Sequence, residues 1–175
     1  MSLNIPESLL QLEANCGVFA IWVILKQYHT HIDIADLIQL CDHDQKDGTF
    51  TIALAVALKK LGFEVSFYTA PDLNIDEKEQ QSYLDAQRLQ IPIQAALTYS
   101  EIQRAFEAGK FVIVFYDTLQ GMGNQSLIYS IDEQEISFCD HFEVMSQAVF
   151  EQQRQADGIC RQVIVIEQPL DHYPI

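Results

Sequence analysis

The stretch Asn15-Cys16-Gly17-Val18-Phe19-Ala20-Ile21-Trp22-Val23-Ile24-Leu25 constrains the fold of this chain more than any other. An almost unbroken apolar run behind a good N-cap residue predicts a buried helix that begins at Cys16. The rest of the chain must close around it. A thiol in the first turn meets unpaired backbone N–H groups and the positive end of the helix dipole, which favour thiolate and can hold an oxyanion. Cys16 is therefore a candidate nucleophile. Its other reading is a small buried hydrophobe, the ordinary fate of a free cysteine.

With 175 residues, 49% of them hydrophobic and 20% charged, the chain can bury a real core as one domain spanning 1–175. Ten basic against 25 acidic residues leave a net charge of −15. That charge argues against nucleic acid and anionic membrane surfaces and for a cationic or neutral partner. Cys16, Cys41, Cys139 and Cys160 are scattered without a CxxC pair, so neither a zinc site nor a disulfide framework is expected. The amino terminus shows no secretory signal, and the apolar run from Gly17 to Leu25 is too short to span a bilayer. A cytoplasmic protein is the expectation.

Beyond the first helix, Asp33 is placed to cap a second, with Ile34, Leu37, Ile38 and Cys41 on one face. His29 and His31 fall in a polar break, and 41–48 lacks the acidic spacing of a calcium loop. Thr49 to Leu61 predicts a third, buried helix stopped by Gly62, followed by a strand over 63–68 and an exposed acidic helix to about Leu89. Ser100 with Gln103 forms a capping-box pattern for a helix ending at Gly109. Strands follow at 111–116, 127–131 and 135–139, the last two joined at Asp132-Glu133. A helix over 142–155 and a strand over 161–167 close the chain. A helical half followed by a mostly stranded half predicts an α+β fold. Nothing calls for a nucleotide, flavin or haem: Gly121-Met122-Gly123 is too short for a phosphate loop, and no cofactor is expected.

In this order the residues resemble the papain-like cysteine peptidases of the bacteriocin-leader type. The resemblance rests on Asn15-Cys16-Gly17 with its apolar helix, the block from Gly48 to Lys60-Leu61-Gly62-Phe63, Gly109 to Val114, Gly123 to Asp132, and Phe138-Cys139-Asp140. It implies a papain-like fold in which the cysteine-bearing helix packs on a carboxy-terminal antiparallel sheet. It also implies roles: an upstream glutamine for the oxyanion hole, a cysteine nucleophile, a histidine base and an orienting aspartate. Gln11, Cys16 and Asp140 match the first, second and fourth. Asn124 falls at the histidine position, and an amide cannot take and return a proton near neutral pH. Gln11 lies one residue closer to the cysteine than is usual in that family.

A lost base removes roughly 10²- to 10⁴-fold of rate, far more than a helix dipole restores. Two readings follow. One is a silent relative that keeps the groove and binds a peptide or protein segment there. The other is an active thiol hydrolase or acyltransferase using Cys16 and a substitute base. His141 is the nearest substitute in sequence, but strand alternation after Asp140 points it to the opposite face unless a bulge or strand end intervenes. His29, His31, His43 and His172 are read as surface histidines. The silent form needs fewer assumptions. A third reading, an unrelated α+β protein, predicts that Cys16, Asn124 and Asp140 lie scattered.

Overall fold

A computed structural model describes residues 4–118, 121–141 and 143–167. The chain opens with a single helical turn, α1 (Glu7–Leu10), and then the predicted buried helix α2 (Cys16–Gln27), in which 17, 18 and 20–25 are all buried. Asn15 stands at the N-cap position but does not cap. Its amide donates back to the Leu9 carbonyl at 2.7 Å, tying the helix start to α1 instead. Asp33 does cap α3 (Ile34–Leu40), accepting from the Ala35 N–H at 2.8 Å. The helix α4 (Thr51–Lys60) is buried from Thr51 through Leu58. It stops before Gly62, which takes the positive φ of 91° that other residues avoid.

A seven-stranded sheet runs through the middle of the molecule in the order β2-β1-β7-β3-β4-β5-β6. Its strands are β1 (Glu64–Thr69), β2 (Ile93–Ala95), β3 (Phe111–Asp117), β4 (Gly123–Ile131), β5 (Glu135–Phe138), β6 (Met145–Ser146) and β7 (Val163–Glu167). Every pairing is antiparallel except β1 with β2, which is parallel. Both β1 and β2 come from the helical half of the chain. They extend the sheet beyond the expected carboxy-terminal strands.

Helices cover both faces. On one, α2, α3, α4 and α5 (Glu77–Arg88) bury a cluster that includes Ile21, Leu54 and Ala86 against Ile113, Leu127 and Ile164. On the other, α6 (Tyr99–Glu107) and α7 (Gln147–Arg154) bury Ile102 and Phe150 against Val112, Val114, Tyr116 and Phe138. Alternate residues of β3 and β7 thus feed two different cores, as the period of two requires.

Several boundaries differ from the sequence expectation. The capping box of α6 is Thr98 with Glu101 rather than Ser100 with Gln103, because Thr98 has the extended backbone that a cap needs. The last helix starts at Gln147, capped by Ser146, since 145–146 first pair with β5. Its expected first residue, Phe142, lies outside the described residues. β4 begins four residues early, at Gly123, and its pairing with β5 shifts register between Ile128 and Ser130. The Asp132-Glu133 turn is present: the Asp132 carboxylate accepts from the N–H groups of Gln134 and Glu135. Among the described residues, no helix is long and apolar enough to cross a membrane.

Candidate active site

The amino terminus of α2 opens into a cleft of about 830 Å³. Its walls are the 46–51 segment leading into α4, the Asp72 to Asp76 loop, the open ends of β3 and β4, and Gly158 with Gln162 ahead of β7. Cys16 sits half-buried at the base. Its sulfur meets Gln125 on β4 twice: the Gln125 N–H donates to Sγ at 3.4 Å, and the thiol donates to Gln125 Oε1 at 3.4 Å. The far end of the same amide donates to the Thr49 carbonyl at 2.6 Å and to Thr51 Oγ1 at 3.2 Å. Gly17 makes room for this arrangement. A Cβ there would stand 2.9 Å from Gln125 Oε1 and 2.8 Å from Leu54 Cδ1, closer than real Cβ contacts come.

The helix start does not produce a thiolate. Burial pushes the Cys16 thiol above the usual cysteine range, and the Asp140 charge pushes the same way. Backbone N–H groups of Gln125, Gly17 and Cys16 pull it down without reversing the shift. This corrects the expectation from the helix dipole, which is a small effect beside the loss of solvation.

Asn124, one residue earlier on β4, lines the cleft as well, but its amide is engaged on the other side of the strand. It donates to Tyr116 Oη at 2.8 Å, Ser126 Oγ at 3.0 Å and Asp140 Oδ2 at 3.2 Å. Ser126 also donates to Asp140 Oδ2, at 2.9 Å. Asp140 thus stands beside Asn124. The residue at the sulfur itself is Gln125, which the sequence reading did not single out.

Gln11 does not line the cleft. Its exposed amide donates to Glu7 Oε1 at 2.8 Å, one turn back on α1. His141 is turned inward, because β5 ends at Phe138 and strand alternation no longer governs 139–141. Its Nε2 lies 2.9 Å from Tyr116 Oη, and its ring meets the Phe138 ring edge-on at 5.4 Å. It lines a second cavity, of about 470 Å³, that shares Asn124 and Thr118 with the first. His29 and His31 are exposed. His43 spends both ring nitrogens on structure, at 2.9 Å from Thr49 Oγ1 and 3.0 Å from the Glu13 carbonyl. His172 lies outside the described residues. No histidine is among the described residues that line the Cys16 cleft, and no group of three or more potential metal ligands occurs among the described residues.

The cleft is acidic. Among the described residues, Asp47, Asp72, Asp76 and Glu79 line it against a single Lys46. Glu79 is nearly buried, and desolvation raises its carboxyl above the usual range.

Residues 8–84 match the sequence profile of the Peptidase C39 family. No curated protein matches the chain. Among solved structures, the peptidase domain of Streptococcus ComA, a bi-functional ABC transporter involved in a quorum-sensing pathway, is similar in fold. Its TM-score is 0.51 at 18% identity, over 86% of this chain and 89% of that one. The family match spans the cysteine-bearing helix and α4, and the shared fold extends through the sheet that carries Gln125. Residues 8–84 of this chain are thus similar to the Peptidase C39 family, and the chain has the fold of the ComA peptidase domain.

Proposed function

We propose that this chain is a catalytically silent member of that group, a single domain that binds a peptide or protein segment in the Cys16 cleft. The observation that carries the reading is the sulfur's partner. Where a thiol peptidase needs a base that can take the nucleophile's proton, Cys16 faces the amide of Gln125, which has no pKa in range. A cleft of about 830 Å³ is in the usual size range for a binding pocket, and it needs no base to hold a ligand. The carboxylates of Asp47, Asp72 and Asp76 favour a segment carrying lysine or arginine.

The test is fluorescence anisotropy with a labelled decapeptide bearing three lysines, beside its glutamate counterpart, and mass spectrometry of both after long incubation. The lysine peptide binds, more weakly as salt rises, and Asp72→Asn with Asp76→Asn weakens it several-fold. Cleavage by the wild type and not by Cys16→Ala would overturn the silent reading.

One observation favours the second reading, a working thiol hydrolase or acyltransferase. The chain of Asn124, Tyr116 and His141 places an imidazole two hydrogen bonds from the wall of the cleft. In that case His141→Ala abolishes a hydrolysis that Cys16→Ala also abolishes.

A further inference from the structure

We infer that Gln125 is a positioning residue that keeps Cys16 a neutral, hydrogen-bond-donating thiol. The argument lies in which end of the amide faces the sulfur. A carboxamide offers an acceptor oxygen and a donor nitrogen, and its orientation is set by the partners it must satisfy. At Gln125 one end meets the Thr49 carbonyl at 2.6 Å. A carbonyl oxygen can only accept, so that end must be Nε2. A flipped amide would press two acceptors together in a buried site. Thr51 Oγ1 accepts from the same nitrogen at 3.2 Å. The oxygen is thereby fixed toward Cys16, 3.4 Å from Sγ.

That oxygen can accept from S–H and can only repel S⁻. Ionising the thiol would replace a hydrogen bond by two facing acceptors in a desolvated pocket, with no freedom for the amide to turn. The orientation is the reverse of an oxyanion donor. Gly17 completes the device, since any side chain there would drive Oε1 off the sulfur. Around the sulfur the other charged or titratable groups do not oppose this. Asp140 is an anion that further disfavours thiolate, and Tyr116 is a neutral phenol held up to about 12 by its burial. Lys46, the one cation among the described residues that line the cleft, is exposed and stands beside Asp47, and Glu79 lines the same cleft. The backbone N–H groups of Gln125, Gly17 and Cys16 are the favourable contacts that remain, and they would serve a thiolate if the side-chain oxygen were gone.

The inference concerns the same cleft as the proposed function but stands or falls separately, because it is read at the sulfur and not by peptide binding. The experiment follows iodoacetamide alkylation of Cys16 from pH 6 to 11 by peptide mass spectrometry, in wild type, Gln125→Met and Gln125→Leu. Cys139 and Cys160 serve as internal references. The rate against pH gives two numbers, a midpoint that reports ionisation and a plateau that reports access. For the wild type we expect a midpoint above the free-cysteine value of about 8.5. In the variants the midpoint falls by about one unit, and the plateau falls by about threefold because a more acidic thiol is a weaker nucleophile. Below the midpoint the thiolate fraction rises about tenfold. The lower nucleophilicity of a more acidic thiol takes part of that back, leaving a gain of about threefold in rate. A wild-type midpoint at or below 8.5 would overturn the inference even if neither variant folds. So would variants whose plateau rises with the midpoint unmoved, or whose midpoint rises, for then Gln125 only shields the sulfur.

Discussion

The two faces of β4 carry the same vocabulary of polar groups and put it to opposite use. On the α2 and α4 face, Gln125 reaches the Cys16 sulfur and presents an acceptor to it. On the α6 and α7 face, Asn124, Ser126, Tyr116, Asp140 and His141 form a continuous network that links an acid to an imidazole through Asn124 and Tyr116. The Cys16 thiol is on one side of the strand, and the titratable groups of the network are hydrogen-bonded to each other on the other. A papain-like site needs them to meet. What separates them is the register of one strand, in which a single residue changes the face.

The largest test of that separation is Phe138→Ala. Phe138 is fully buried, stacks on Tyr116 at 5.0 Å and touches His141 and Phe150. Its removal should cost about 3–5 kcal/mol in urea denaturation and loosen the whole imidazole network. If the faces are independent, the alkylation midpoint of Cys16 does not move in the folded variant. A shift there would show that the network acts through the strand on the thiol.

Gly17→Ala probes the other face with a smaller effect. Overpacking against Leu54 and Gln125 costs about 1–3 kcal/mol, and the better helix propensity of alanine offsets up to about 1 kcal/mol of it. A net loss of about 1 kcal/mol is expected by thermal or urea melting. The added methyl displaces Gln125 Oε1, so the Cys16 midpoint should fall in the same direction as in Gln125→Met. An unchanged midpoint would mean that Leu54 alone yields.

These faces explain how far the sequence could be read. The cysteine-bearing helix, the buried α4 and the three strands from Phe111 to Phe138 were legible, because their apolar runs and glycine stops are local signals. So was the placing of Asp140 beside Asn124, through family resemblance rather than physics. The choice between Asn124 and Gln125 as the sulfur's neighbour was not. From Gln125 to Ile128 every residue is buried, so the alternation that would mark the two faces is absent from the sequence. Gln11 was misjudged for a different reason: a four-residue helix puts Glu7 one turn away, and the local hydrogen bond wins over one across the cleft. The thiol's protonation could not be read from the helix start, since burial depends on Gln125 and Asp140, more than a hundred residues further along.

The smallest predicted effect concerns the acidic wall of the cleft, and its sign follows from linkage. Glu79 on α5 is nearly buried, and burial is the largest influence on its carboxyl, raising it; Asp72 and Asp76 raise it further, while bonds to Gln162 and the Asp76 backbone only partly compensate. A carboxyl whose folded pKa lies above its unfolded value binds its proton more tightly in the native state. Its contribution is therefore fully present below the unfolded value of about 4.5 and is lost as pH rises through the folded one. At neutral pH the charged form is a burden that the fold carries. Glu79→Gln keeps the shape and the acceptor oxygen for Gln162 while removing that charge. Its melting temperature should exceed the wild type's by a few degrees at pH 7, and the difference should vanish near pH 4. Cys16 senses none of the change if the wall and the sulfur are independent, so its alkylation midpoint stays put. The lysine decapeptide would bind more weakly, because the carboxylate that costs stability is one that a cationic segment would neutralise. A variant less stable at pH 7 would reverse the sign and make Glu79 a structural anchor of the wall.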